Sequence, residues 1–162
     1  MKTILIPTDF SNRSLSVVKT AMTCAKDEEA KLLLVHGIYL PDSITDLLFF
    51  SKTNLINSLE TEDFVSSCWL IRNHFQSKIN SLHLDVFTGL NMAAFNQYLE
   101  VNEVDEAFIP KHHTFSRRHQ RSFDLVPYIR KSDLIFTEVA SEKVLERESQ
   151  EVNHLEMLFF NH

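Results

Sequence analysis

Residues 2–11 read KTILIPTDFS. The run at 3–6 is apolar on both faces and is closed by Pro7, which has no backbone N–H to continue a ladder. A strand of that kind is buried on two sides, as in parallel sheets covered by helices. Ser11 then reads as the N-cap of a helix. Leu15, Val18, Met22 and Ala25 follow at helical spacing, which carries the helix to about Asp27. Residues 31–36 (KLLLVH) repeat the apolar strand pattern.

Downstream the alternation continues. Ile44, Leu47, Leu48 and Phe50 make one or two helical turns, and a polar break follows. Thr61, with Glu62 and Asp63 in the first turn, opens a longer helix striped by Phe64, Cys68, Ile71, Phe75 and Ile79. Residues 83–87 (HLDVF) form a third strand, and Asn91 caps a helix carrying Met92, Phe95 and Leu99. Residues 107–109 and 133–137 (DLIFT) are a fourth and a fifth strand. Between them, Pro127 belongs in the first turn of a helix that starts near Asp124. This order predicts right-handed crossovers and a doubly wound parallel sheet of the α/β class. Residues 138–151 carry five acidic and two basic residues and read as an exposed helix. The chain then runs to HLEMLFFNH, whose apolar side chains call for docking on the domain or across a dimer. The expected organisation is a domain over 1–140 and a helical, apolar tail over 141–162.

The 162 residues suit one domain, and 44% apolar residues supply its core. A net charge of −6 argues against a nucleic-acid coat. The longest apolar runs fall far short of the roughly twenty residues of a membrane span. MKTILIPTDF meets Pro7 and Asp9 too early for a secretory signal, so the expected compartment is the cytoplasm. Cys24 and Cys68 are expected as buried free thiols, and Trp69 and the phenylalanines as core, with Phe49, Phe50, Phe159 and Phe160 reserved for an interface. Only two glycines occur, Gly37 and Gly89, where average usage gives about eleven. That shortage excludes dinucleotide and P-loop fingerprints and the G-x-S-x-G nucleophile elbow.

Taken together, KTILIPTDFS, KLLLVHGIY, VFTGLNMAAFNQYLEVNEVDEAFIP and SDLIFTEV resemble the universal stress protein family over residues 1–140. Pro7, Thr8, Asp9 and Ser11 match the end of its first strand in order, and Gly89 stands at its usual turn glycine. The resemblance implies a five-stranded, Rossmann-like sheet of the adenine nucleotide alpha hydrolase-like type, with strand order 3-2-1-4-5 and helices on both faces. It also implies a homodimer, often joined along the last strand. Some members bind ATP and others do not.

In the ATP-binding members a glycine-rich stretch follows the fourth strand, because backbone N–H groups must approach the phosphates closely. Here that stretch reads IPKHHTFSRRHQRSFDLVPYIRKS, without a glycine. The early glycines fall near Pro110 and His113, the late glycine–serine pair near Arg121 and Ser122. Gly37 stands where the family keeps a valine that packs on adenine. Asp9 is retained: in nucleotide-binding members it contacts the nucleoside, and its structural alternative is to cap the first helix or tie the loop. Thr8 and Ser11 read as structural before functional.

Residues 110–122 carry Lys111, Arg117, Arg118 and Arg121, three histidines and no acid. Either these cations replace glycine amides as an anion holder, or the loop balances an acidic body and pairs with the acidic tail. His112, His113 and His119 have no partner in a metal-binding spacing, and no metal is expected. The leading expectation is a non-catalytic, homodimeric stress-response or interaction module with no cofactor, no nucleic acid and no membrane, acting through a protein partner. The alternative is a nucleotide- or phosphate-binding protein with a rebuilt site, taking ATP, AMP or phosphate with slow ATP hydrolysis. Its candidate residues are Thr8, Asp9, Gly37, Lys111, His112, Arg117, Arg121 and Ser122.

Overall fold

Strand β1 (Lys2–Pro7) lies inside the sheet, where two apolar faces put it. Ile4 and Ile6 turn into one core and Leu5 into the other, and all three are buried. The computed structural model describes residues 1–24, 28–112, 115 and 117–140. After β1 come α1 (Ser14–Cys24), β2 (Ala30–Ile38), α2 (Ile44–Leu48), α3 (Lys52–Leu59), α4 (Glu62–His74), β3 (Ile79–Phe87) and α5 (Met92–Val101). Then follow β4 (Glu106–Pro110), β5 (Ser122–Phe123), α6 (Val126–Lys131) and β6 (Ile135–Val139).

The sheet runs β3-β2-β1-β4-β6, every neighbouring pair parallel. This is the 3-2-1-4-5 order expected of five strands. The sixth strand, β5, pairs antiparallel on the end of β2, Gly37 against Phe123 and Ile38 against Ser122. Helices α1, α3 and α4 cover one face through Leu15, Val18, Met22, Leu59, Phe64 and Cys68. Helices α5 and α6 cover the other through Phe95, Leu99, Val126 and Ile129.

Two caps stand where the sequence puts them. Thr61 accepts a hydrogen bond from Phe64 N at 3.1 Å, and Asn91 Oδ1 accepts one from Ala94 N at 2.9 Å. Several expectations change. Ser11 does not cap α1: its hydroxyl turns to Asp9, and the helix begins at Ser14 after a tight turn closed on the Ser11 carbonyl. Cys24 is exposed, because it ends α1 on the outward side, while Cys68 is buried as expected. Trp69 is 60% exposed, since it lies about 100° around α4 from the Phe64–Cys68 stripe. Helix α3 was not expected, and the last strand sits at Ile135–Val139 rather than 133–137. Gly89 has no positive φ. Its role is close approach, because a Cβ there would stand 2.5 Å from the Phe87 ring and 2.7 Å from Ala94 Cβ. The expected helix over 138–151 overlaps β6 at its start and otherwise lies, with Phe159 and Phe160, outside the described residues.

Candidate ligand crevice

The C-terminal ends of β1 and β4 diverge at the point where strand order reverses, which opens a crevice in sheets of this kind. A cavity of about 310 Å³ lies there. Pro7, Thr8, Asp9 and Ser11 bring it the end of β1, and Arg13, Ser14, Ser16 and Val17 the start of α1. Gly37 comes from β2, Pro110 and His112 from β4 and its exit, and Phe115, Phe123, Asp124, Leu125 and Val126 from the chain beyond.

Local chemistry shapes the β1 end. Thr8 N continues the ladder onto Val35 O at 2.9 Å. Thr8 Oγ1 accepts from Phe10 N at 3.1 Å and lies 2.8 Å from Ser14 Oγ, which donates to Ser11 O at 2.7 Å. The Asp9 carboxylate accepts from Ser11 N at 3.0 Å and from the Ser11 hydroxyl. Phe10, between them, takes the left-handed conformation at φ 61°, which non-glycine residues rarely adopt. It is wholly buried, packed on Phe64 and against His36, with ring centroids 5.4 and 5.0 Å away. Arg118 fixes the same turn, donating to Asp9 O at 3.1 Å and to Phe10 O at 3.2 Å.

Beneath the crevice, His36 is fully buried. Its Nδ1 lies 2.8 Å from Thr8 O and its Nε2 2.7 Å from Ser122 Oγ. Burial holds the imidazole pKa below its usual value. Ser122 Oγ also accepts from His119 N at 3.2 Å, and Phe115 stacks over the ring at 6.3 Å. These bonds fasten β5, and with it the Phe123 ring, against Gly37. A Cβ on Gly37 would stand 2.7 Å from that ring and 2.8 Å from the Phe123 carbonyl oxygen.

Of the eight candidate residues, the fold gathers Thr8, Asp9, Gly37 and His112 at the cavity. The other four do not line it. Lys111 is turned outward, its backbone N–H bonded to Val139 O at 2.7 Å, and Arg117 is exposed. Arg121 gives its carbonyl to Tyr39 N, and Ser122 is buried under His36. Residues outside those eight take part instead: Arg13, Phe115 and Phe123 as walls, and Arg118, named only as one cation of the basic loop, as the strap on the β1 loop. Arginine count alone held no signal separating Arg118 from Arg117. Among the described residues no three histidine, cysteine or acidic side chains come together to hold a metal, and His113 lies outside them. Among them, too, no helix is long and apolar enough to cross a membrane.

Three solved structures align along most of this chain. Universal stress protein UspA from Lactobacillus plantarum is 13% identical, with 85% of this chain and 97% of that chain covered at a TM-score of 0.55. A universal stress protein in complex with cAMP is 14% identical, with coverages of 87% and 98% and a TM-score of 0.51. A universal stress protein family member from Burkholderia pseudomallei is 10% identical, covering 85% and 95% at 0.51. The fold is that of the universal stress proteins. No protein-family model matches the sequence, and no curated protein does. The universal stress protein fold therefore stands on the backbone path, with identities of 10–14% in these three.

Proposed function

We propose that this chain is a non-catalytic universal stress protein-like module that works in the cytoplasm as a homodimer through partner proteins, without the usual ATP cradle. The observation that carries this reading is the state of the N–H groups around the crevice. Phe10 N and Ser11 N bond to the side chains of Thr8 and Asp9. Lys111 N bonds to Val139 O, and Val126 N bonds to Asp124 Oδ1 at 3.1 Å. Pro110 has none. A phosphate cradle works by offering unpaired N–H groups to an anion, and these five places, on three segments around the crevice, offer no such group. Asp124 adds a carboxylate to the same wall. Phe123 lies over Gly37, the position at which the resemblance puts a side chain against adenine.

Isothermal calorimetry with ATP and AMP tests this reading. The expected outcome is no saturable heat at micromolar to millimolar nucleotide. Micromolar ATP affinity that disappears in Asp9→Ala overturns it.

One observation favours a second reading. Arg13 and His112 do face the cavity, beside the hydroxyl-bearing Ser11, Ser14 and Ser16. A similar fold is known in complex with cAMP. A nucleotide or inorganic phosphate held by Arg13 instead of Lys111, Arg117 or Arg121 fits that arrangement. Phosphate binding lost in Arg13→Ala and kept in Arg121→Ala is its signature.

A further inference from the structure

Helix α4 has two faces of different character. Phe64, Cys68 and Ile71 hold one face against the core, all three buried. The opposite face carries Glu62, Val65, Trp69 and Arg72, spaced i, i+3, i+7 and i+10. At 100° per residue these four fall within about 80° of arc, so they form one stripe along the helix. The 3-4-3 spacing is that of the a and d seam of a coiled coil. Val65 is 45% exposed and Trp69 60%, and Glu62 and Arg72 are exposed as well. Tryptophan and arginine are the side chains most enriched where protein surfaces meet, and here they neighbour each other on one face.

The stripe is complementary to itself. Residues 62 and 72, and residues 65 and 69, are centred on the same point, residue 67. A second α4 laid antiparallel across that point sets Glu62 opposite Arg72 and Val65 opposite Trp69, each pair twice over. That is the pattern of an isologous contact, in which i meets j and j meets i. Glu62 lies in the first turn of the helix and Arg72 in the last, where the helix dipole favours each charge, and two antiparallel helices also oppose their dipoles. Among the described residues neither Glu62 nor Arg72 has an ion-pair partner in its own chain. A parallel pairing sets Glu62 on Glu62 and Arg72 on Arg72, and like charges facing each other reject it.

We propose that α4 is a self-association face, and that the Val65–Trp69 stripe is covered by the antiparallel α4 of a second copy. The helix has 13 residues, a length of about 20 Å. A contact along one such helix is smaller than the roughly 800 Å² per partner of a standard interface. The pairing is accordingly weak, with a dissociation constant of about 0.1–1 mM. It leaves the crevice and the β6 edge untouched, so it depends neither on what the crevice binds nor on pairing at that edge.

Sedimentation equilibrium of the full chain carrying Ile135→Lys reads this face apart from the β6 edge. The average mass is expected to rise from 18.9 kDa at about 10 μM toward twice that value near about 1 mM. Trp69→Glu is expected to weaken the association at least about tenfold. Glu62→Arg and Arg72→Glu, each made alone, set like charges opposite one another and weaken it by about tenfold. An equimolar mixture of those two single variants regains the parent affinity, because each chain then offers the charges the other lacks. All three substitutions lie on the exposed face and leave the core side of α4 unaltered. A mass fixed at 18.9 kDa up to about 1 mM overturns the proposal. So does association that Trp69→Glu leaves unchanged, or a mixture of the charge variants that associates no more tightly than either alone.

Discussion

His36 joins the end of β1 to β5 across the floor of the crevice. The Thr8 carbonyl can only accept, so Nδ1 carries the proton. Burial lowers the ring pKa and so favours the neutral form, in which Nε2 accepts from the Ser122 hydroxyl; Ser122 Oγ in turn accepts from His119 N. Burial is the main cause of its lowered pKa, and the charges of His119 and Arg118 add to it, against the Thr8 bond and Asp9. The sign follows. Above about pH 6.5 both folded and unfolded chains hold a neutral ring, and its contribution to stability is fully present. As pH falls below that value the unfolded chain takes the proton first, and stability drops until the folded-state pKa is passed. His119, also lowered, adds a slope of the same sign. The pH slope of urea stability between about pH 7.5 and 5.5 should therefore be shallower in His36→Phe than in the parent chain. At the upper pH that variant should be less stable by about 2–4 kcal/mol, since Ser122 Oγ and Thr8 O lose their partner.

At the scale of elements, the helix ends show how the chain manages with two glycines. Helix α5 closes in a Schellman motif, with Glu103 N on Glu100 O at 3.1 Å and Val104 N on Leu99 O at 3.0 Å. The left-handed residue is Glu103 at φ 52°, a place that glycine usually fills. Glu103→Gly relieves that conformation and should raise stability by about 1 kcal/mol, read as a higher urea midpoint at unchanged slope. Elements of this kind are legible where local chemistry is strong. Thr61 and Asn91 announce α4 and α5, because a cap needs only residues three apart. Helix α3 escaped because its inward residues are just Leu55, Ile56 and Leu59, too few to set a period. Strand β5 escaped because two residues carry no alternation at all.

For the whole molecule, β3 and β6 are the edges of the sheet, and among the described residues β6 is paired only on its β4 side, with Ile135 74% exposed. An open apolar edge strand is a template for a second copy. Light scattering is expected to give about 38 kDa, twice the 18.9 kDa chain, and Ile135→Lys should shift it toward the single chain. A single-chain mass for the parent protein at micromolar concentration overturns the dimer. The sequence by itself determined the alternation of strands and helices, the two-sided burial of β1 and the caps at Thr61 and Asn91. Those rest on periodicity and on contacts a few residues apart, which any reader of the chain sees. The crevice rests on contacts that span it. His36 meets Ser122 across 86 residues, and Arg118 meets Asp9 across 109. Composition placed four cations in one loop, and only folding chose Arg118 to strap the β1 turn while Lys111 and Arg117 stayed in water. Tertiary structure decided this, because which side chain reaches an atom depends on the path of backbone between them.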